Sequence, residues 1–218
     1  MRSFLIFCLG WVLTGCVRVV PPPAISLPAP DNPAVLEARM EAANFDRELL
    51  ARAIFRETNR VRAQLGLKPF GYLPKLNEAA DLEAAVGKVY QPPSHTNSFP
   101  MIGTPMQRVL YVGLDPGLVA ENIALLPIYE VEVKLGAGVV MRDGKKHFVN
   151  PGTQEDLRLA TYQGFAVQVV DAWMNSPGHR VNIVHTDLRY LGCSVLQTVS
   201  ILGVDQLFCV QVFFTPKK

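Results

Sequence analysis

The stretch from Ala172 to Ile183 constrains the fold of this chain more than any other segment. Its sequence is typical of the end of an amphipathic helix, followed by a Ser-Pro-Gly break and then by a histidine in the next turn. A histidine held between a helix end and a tight turn has a fixed position, so we interpret His179 as a candidate functional residue. Two other segments contain polar residues that are possible partners for it, Ser94-His95 and Glu121-Asn122-Ile123.

Residues 1–16 predict an export signal. Arg2 precedes an almost wholly apolar run, residues 3–13, which is too short to span a bilayer. The run closes with Leu-Thr-Gly-Cys, which resembles the bacterial lipobox, in which the peptide is cut before the cysteine and the cysteine, here Cys16, carries lipid. An ordinary signal peptide that is cut elsewhere is the alternative. Because Val17 follows the cysteine instead of an aspartate, analogy with lipoprotein sorting in Gram-negative bacteria favours the outer membrane, with the protein facing the periplasm or the cell surface.

Length, proline content and charge predict the domain organisation and exclude one class of partner. Without the predicted signal the chain has 202 residues (218 minus 16), which fits one domain with a substantial core, and we place this domain at residues 33–218. Residues 17–32 are rich in proline and lack a core pattern, so we expect a semi-extended linker there. The formal net charge of +2 gives no indication of a nucleic-acid partner.

Cys193 and Cys209 form an even pair in a chain that we predict to be exported, and disulfides persist outside the cytosol. They lie on either side of Gly203, in two strand-like runs. This arrangement predicts a cross-strand disulfide, with two buried free thiols as the alternative. Both cysteines lie within apolar β-type sequence, which argues against a catalytic role for either.

Hydrophobic periodicity and turn residues predict an α+β fold with antiparallel strands. In the first half of the chain we expect three helices, from Asn32 to about Leu65, from Pro74 to the residues before Gln91, and from Thr104 to Tyr111. In the second half we expect a β-hairpin within Val131–Val149, a helix that begins with a Thr153-x-x-Asp156 capping box and ends near Asn175, and strands at 191–199 and 206–215.

Four motifs follow one another along roughly residues 54–214. They are Asn59-Arg60-Val61-Arg62 with Gly66-Leu67-Lys68-Pro69, Ser94-His95, Ala120-Glu121-Asn122-Ile123-Ala124, and the stretch from Trp173 to Ile183. In this order they resemble the motifs of the CAP superfamily (cysteine-rich secretory proteins, antigen 5 and plant pathogenesis-related class 1), and in particular its bacterial SCP-like extracellular branch. Thr104-Pro105 and Arg108 also fit a short helix of that family.

The resemblance implies an α-β-α sandwich with a central antiparallel sheet. The segment at about 125–152 is longer than the usual connection in the family, so we expect an inserted β-hairpin there. By chain connectivity this insertion would lie near the functional cleft, and we expect its hairpin to cover or extend the cleft and to set the choice of partner.

The resemblance also implies a cleft that is built around two histidines and up to two glutamates. His95, Glu121 and His179 stand at the corresponding motif positions of this chain. The second glutamate of the family falls on Ser176, which we include among the cleft residues, and the glycine before the first glutamate is Ala120. No Gly-x-Ser-x-Gly elbow surrounds Ser176, so we expect it to serve in capping or in the turn and not as a nucleophile.

Three interpretations of His95, Glu121 and His179 remain open at this point. Two imidazoles and one carboxylate suffice for a tetrahedral zinc site with an open water position, which would support hydrolysis. Alternatively, the residues form a hydrogen-bonded cleft without tightly bound metal, in which Glu121 orients one histidine and keeps it partly protonated. In the third interpretation the polar cluster only joins the helices to the sheet.

The family implies no single biochemical activity. Because Ser176 replaces the second carboxylate, we favour a binding role over an enzymatic one. We expect an envelope protein that is anchored in the membrane through lipid on Cys16 and that binds a lipid or another envelope protein in its cleft. A zinc-dependent hydrolase or protease-like enzyme that uses the same cleft is the alternative.

Overall fold

The computed structural model describes residues 27–89, 93–132 and 134–217. The predicted signal peptide, Cys16 and most of the predicted linker lie outside the described residues. The elements of the described chain follow one another as α1 (Pro33–Leu36), α2 (Arg47–Gln64), β1 (Gly71–Tyr72), α3 (Pro74–Gly87), α4 (Pro105–Tyr111), β2 (Pro116–Pro127), β3 (Gly138–Arg142), β4 (Lys145–Val149), α5 (Tyr162–Met174), α6 (Pro177–Ile183), β5 (Tyr190–Val199) and β6 (Asp205–Pro216). Within these ranges, no helix combines the length and the apolar character that crossing a bilayer requires.

The central sheet has four strands in the order β1-β5-β6-β2. Strand β6 pairs antiparallel with β5 on one side and with β2 on the other, whereas the short β1 pairs parallel with β5. Strands β5 and β6 confirm the two strands predicted at 191–199 and 206–215. Strands β3 and β4 form a separate hairpin, as predicted within Val131–Val149. Strand β2 is left at an edge of the central sheet.

Helices cover both faces of the central sheet, so the fold is the α-β-α sandwich that we predicted. Helices α2 and α5 pack on one face, and α3 and α4 pack on the other. Successive side chains of a strand point to opposite faces, and on β2 Ile123 packs on the α3–α4 side whereas Ala124 packs on the α2–α5 side. By the same alternation, Glu121 points toward α3 and α4, and Asn122 points toward α2 and α5.

The prediction of one helix over residues 32–65 is wrong, because a loop separates α1 from α2. Asn32 does cap a helix, but α1 ends after one turn. Met40, in the loop that follows, is buried in the core on the α2–α5 side. Asp46 then starts α2, because its Oδ1 accepts a hydrogen bond from the Leu49 N–H at 2.9 Å. A buried loop residue and a second N-cap therefore divide the predicted helix in two.

The end of the predicted linker lies against α2. Asp31 forms ion pairs with Arg52, at 3.2 Å, and with Arg56. Leu27 and two prolines line a groove beside Phe55. The part of the linker that the structure describes is therefore docked on the domain and does not act as a free spacer.

The capping box predicted at Thr153 does not begin a helix. The carboxylate of Asp156 pairs instead with Arg142 of the hairpin at 2.7 Å. Helix α5 begins later, where Thr161 Oγ1 accepts a hydrogen bond from the Gly164 N–H at 2.9 Å. The Asp156 carboxylate, which the sequence pattern predicted as part of a helix cap, therefore binds an arginine of the hairpin instead.

The predicted disulfide between Cys193 and Cys209 is wrong, since both are buried free thiols. The register of β5 and β6 places Cys209 opposite Val195 and Cys193 opposite Gln211, so the two cysteines are diagonal neighbours. Diagonal neighbours in a sheet are about 7–8 Å apart, whereas a disulfide needs a Cβ–Cβ distance of about 3.5–4.5 Å. Burial raises the pKa of both thiols.

Chain connectivity led us to expect the hairpin near the cleft, but the structure places it elsewhere. Lys146 Nζ donates to the Leu202 carbonyl, in the turn between β5 and β6, at 3.1 Å. The Phe148 ring packs on Tyr129 with 5.3 Å between centroids. Both contacts are near the Pro127 end of β2, and Glu121 lies six residues back along that strand, about 20 Å away. The hairpin therefore extends the opposite end of the domain.

Candidate functional site

The three predicted cleft residues lie on three different elements around the edge strand β2. His95 is in the loop after α3, Glu121 is in the middle of β2, and His179 is in the first turn of α6. Pro177 occupies the first position of α6, and the Ser176 carbonyl accepts hydrogen bonds from backbone N–H groups of that first turn. The Ser176 side chain makes no capping bond, so the expected role in the turn is fulfilled by its backbone.

Glu121 is buried, and both of its carboxylate oxygens have protein partners. Oε1 is 2.9 Å from His95 Nδ1, and Oε2 accepts a charge-assisted hydrogen bond from Arg108 at 2.7 Å. The Glu121 side chain is 1 % exposed, whereas the His95 ring is 50 % exposed. A polar connection therefore runs from the solvent, through His95 and Glu121, to a cation in the core.

Arg108 is fully buried and positions the loop that contains His95. Its guanidinium donates to the Ile102 carbonyl at 2.9 Å and to the His95 carbonyl at 3.2 Å. The same guanidinium lies 2.9 Å from a second buried carboxylate, Glu83 of α3. The sequence assigned Arg108 only to a short helix, and it did not identify Glu83. The signal for Glu83 was its place in the apolar stripe of α3, one helical turn from Ala79 and Ala80.

The two histidines of the cleft have different protonation tendencies. The hydrogen bond to Glu121 raises the pKa of His95. Burial lowers the pKa of His179, and the positive charge on His95 lowers it further. Burial raises the pKa of Glu83 to about 7, against the opposing effect of Arg108. Near neutral pH the cleft therefore offers one imidazole that tends to be charged and one that tends to be neutral.

Side-chain amides attach α6 to the other face of β2. Asn122 donates to the His179 carbonyl at 3.2 Å and to Gln211 Oε1 at 3.0 Å. Asn182 donates to the Glu121 carbonyl at 3.2 Å and to Asn122 Oδ1 at 2.8 Å. These bonds fix the helix that presents His179 relative to the strand that presents Glu121.

The residues of the cleft do not fit a zinc site with three protein ligands. Glu121 uses both oxygens for His95 and Arg108, so a metal would have to displace a hydrogen bond or an ion pair. In the described ranges, no group of three His, Cys, Asp or Glu side chains is arranged to hold a metal ion. Of the proposed ligands, His95, Glu121 and His179, the carboxylate is therefore committed to the protein.

Comparison with known proteins gives one family. The family model described as "Cysteine-rich secretory protein family" (CAP) matches residues 135–213. This range includes His179, whereas His95 and Glu121 precede it. None of the curated proteins with which the chain was compared is a match.

Solved bacterial structures resemble the chain at low sequence identity. An outer surface protein from Borrelia burgdorferi is 20 % identical with a TM-score of 0.51, over 79 % of this chain and 97 % of that one, which shows a shared fold. An extracellular protein containing an SCP domain from Bacillus anthracis is 20 % identical with a TM-score of 0.46, over 86 % of this chain and 45 % of that one. A cysteine-rich secretory protein from Staphylococcus aureus is 13 % identical with a TM-score of 0.47, over 78 % of this chain and 39 % of that one.

Proposed function

Because this chain belongs to the CAP superfamily, we propose that it is an exported binding protein whose ligand contacts His95 and His179 across the edge of β2. The observation that carries this proposal is the double engagement of Glu121 by His95 and Arg108. A carboxylate held in this way orients a histidine for hydrogen bonding, and it is not free to act as a metal ligand or as a general base. A binding role therefore suits this cleft better than zinc-dependent hydrolysis.

The geometry also supports a proposal for the chemical group that the ligand presents to the cleft. His95 contacts Glu121 through Nδ1, which leaves Nε2 for a ligand. When the ring is protonated, Nε2 carries a hydrogen and donates, so the complementary group is an oxygen acceptor such as a carboxylate, a phosphate or a carbonyl. Lipids and proteins of the envelope both contain such oxygens.

Zinc titration by calorimetry separates binding from hydrolysis. The wild-type protein is compared with the double variant His95→Ala/His179→Ala and with the control His147→Ala, whose histidine lies on the distant hairpin. We expect no stoichiometric zinc binding that depends on His95 and His179, and no hydrolysis of peptide or ester substrates. Zinc binding that disappears in the double variant but not in the control, together with hydrolysis, would reverse the proposal.

A capture experiment then tests binding directly. Immobilised wild-type protein and the double variant are exposed to a detergent extract of the envelope, and bound lipids and proteins are identified by mass spectrometry. We expect at least one species to be retained by the wild type and by His147→Ala and to be lost from the double variant. Equal retention by all three proteins contradicts a role of the cleft in binding.

We also propose that lipid on Cys16 anchors the protein in the outer membrane. The support for this is the Leu-Thr-Gly-Cys ending of the predicted signal and the valine that follows it. Cys16→Ser is expected to release the protein into the soluble envelope fraction and to abolish incorporation of labelled palmitate. Unchanged membrane fractionation of that variant would rule the anchor out.

A further inference from the structure

Four ionisable side chains form a continuous row from the core to the cleft. Arg108 is 2.9 Å from Glu83 Oε2 and 2.7 Å from Glu121 Oε2, and Glu121 Oε1 is 2.9 Å from His95. The side chains of Glu83, Arg108 and Glu121 are at most 2 % exposed, and only His95 reaches solvent. A charge on any of these three buried side chains therefore interacts strongly with the His95 imidazole.

The charges of this row do not balance without a proton. Two ionised carboxylates and one guanidinium leave a net charge of −1 in a buried site, and an unbalanced buried charge is costly. A single proton restores neutrality, and the row offers two places for it, the carboxyl of Glu83 inside and the imidazole of His95 at the surface. Occupation of one place weakens the need to occupy the other, so the two groups titrate as a coupled pair.

The geometry around Glu83 suits a residue that takes up and releases this proton. Arg108 lies close to Glu83 Oε2, but no N–H in the described chain is aimed well enough at this oxygen to form a hydrogen bond. The nearer guanidinium nitrogen donates instead to the Ile102 carbonyl. Protonation of Oε2 therefore breaks no hydrogen bond, and its cost is the weakened attraction to Arg108.

We propose that Glu83 is a positioning residue of the cleft that controls the charge of His95 through Arg108 and Glu121. When Glu83 is ionised, it favours the imidazolium form of His95, which donates from Nε2 toward the cleft. When Glu83 holds the proton, His95 is released to its neutral form. The inference rests on the proposed function only in that the cleft is the site that Glu83 serves, because the control of His95 exists without ligand.

Other groups that face Glu83 support this assignment. The charged or titratable neighbours are Arg108 on α4, Glu121 on β2 and His95 in its loop, and a side-chain hydrogen bond from Asn97 lowers the pKa of Glu83 against the larger effect of burial. Strands β5 and β6, which also pack on α3, contribute mainly apolar side chains, with Tyr190 as the titratable residue among them. The proton balance of the row is thus set by the four residues named above.

Proton NMR titration of the histidine rings in the unliganded protein tests the inference. In the wild type we expect the His95 curve to deviate from a single-site titration, because Glu83 titrates in the same pH range. In Glu83→Gln we expect a single-site curve whose midpoint lies at lower pH. The control is Glu78→Gln, which removes the same charge from an exposed position of the same helix and should leave the curve unchanged.

The titration has clear contrary outcomes. A single-site wild-type curve, or a His95 midpoint that Glu83→Gln and Glu78→Gln move equally, overturns the inference. If Glu83→Gln does not fold, the shape of the wild-type curve decides the question alone. These results do not depend on ligand capture, so failure of the proposed binding function and failure of this inference are distinguishable.

Discussion

Asn182 on α6 donates its side-chain amide to Asn122 Oδ1 on β2 at 2.8 Å. This bond joins the motif that contains His179 to the motif that contains Glu121. Asn122 continues the connection inward to Gln211, which in turn donates to Thr58 Oγ1 of α2 at 2.7 Å. The position of His179 therefore depends on a row of neutral hydrogen bonds, whereas that of His95 depends on ion pairs.

The first prediction concerns this neutral row. Asn182→Ala leaves the Glu121 carbonyl and Asn122 Oδ1 without their donor, and a lost partner of a buried polar group costs about 1–3 kcal/mol. We expect that loss in the free energy of urea-induced unfolding, with a changed His179 ring signal and an unchanged His95 signal. Val181→Ala, at an exposed position of the same helix, is the control. Equal stability of the two variants would contradict the prediction.

The second prediction concerns the buried cation. Arg108→Met leaves the carboxylates of Glu83 and Glu121 buried without a counter-charge, and breaking a buried ion pair in this way costs about 3–5 kcal/mol. Arg142→Met removes an exposed partner of Asp156 and should cost far less stability, because solvent screens an exposed ion pair. Denaturant unfolding measures both values. We expect the loss in Arg108→Met to shrink at pH 5, where Glu83 holds a proton. A loss that is the same at every pH argues against the assigned cause.

The third prediction is a pH dependence of stability. The pKa of Glu83 is about 7 in the folded protein and near its ordinary value when the chain is unfolded. Between these two values the folded state binds more protons, so stability falls as pH rises from about 5 to about 8. The proton on Glu83 is expected to contribute on the order of 1–3 kcal/mol at the acid end of this range.

The variant Glu83→Gln isolates this contribution, because glutamine resembles the protonated carboxyl group. Thermal unfolding at pH 5 and at pH 8 is compared between the variant and the wild type. We expect the wild type to lose more stability than the variant does across this range. Parallel losses in the two proteins would mean that Glu83 is not the titrating group.

The fourth prediction concerns the cysteines. Because Cys193 and Cys209 are buried free thiols with raised pKa values, a thiol reagent should modify neither in the folded protein at neutral pH and both after unfolding. Peptide mass mapping after labelling, with and without denaturant, identifies each site. Recovery of the two cysteines as one disulfide-linked peptide pair after non-reducing digestion would show that the strands shift to bring them together.

The fifth prediction concerns the hairpin. Gly138 and Val149 are opposite one another, so a short Gly-Ser link can replace the residues between them. Loss of the Phe148–Tyr129 contact should lower stability, but the titration of His95 should not change, because the hairpin lies about 20 Å along the sheet from Glu121. A shift of the His95 midpoint in this variant would restore a role for the hairpin at the cleft.

Local sequence predicted the elements that have strong local signals. Strands β5 and β6 are largely apolar runs on either side of a turn. Helix α4 begins with a threonine cap followed by proline, and it forms where the sequence predicts it. The sequence predicted the end of helix α5 correctly but not its start. The local pattern at Thr153 could not show that the Asp156 carboxylate pairs with Arg142 instead of capping a helix. Caps are readable from sequence only when no distant residue competes for them.

The cleft, too, was predictable only in part, because residues that are distant in sequence decide which of its side chains are buried and paired. His95, Glu121 and His179 were identified from motif order, and the structure brings His95 and Glu121 into contact. Glu83 was missed although it lies in the apolar stripe of α3, because a glutamate on a helix normally faces solvent and the Arg108 guanidinium that pairs with it here comes from a later helix. The cysteine pairing failed on the register of two strands, since Cys193 would lie opposite Cys209 only if β5 were shifted by two residues against β6.

Asp31 and its two arginine partners have a mechanical consequence. Any force applied through the residues that precede Leu27 reaches the domain at α2, where the ion pairs to Arg52 and Arg56 oppose it. Helix α2 belongs to the layer opposite the one that contains Glu83 and Arg108. A pull on the residues before Leu27 would therefore act first on the layer that contains α2, and not on the layer that contains Glu83 and Arg108.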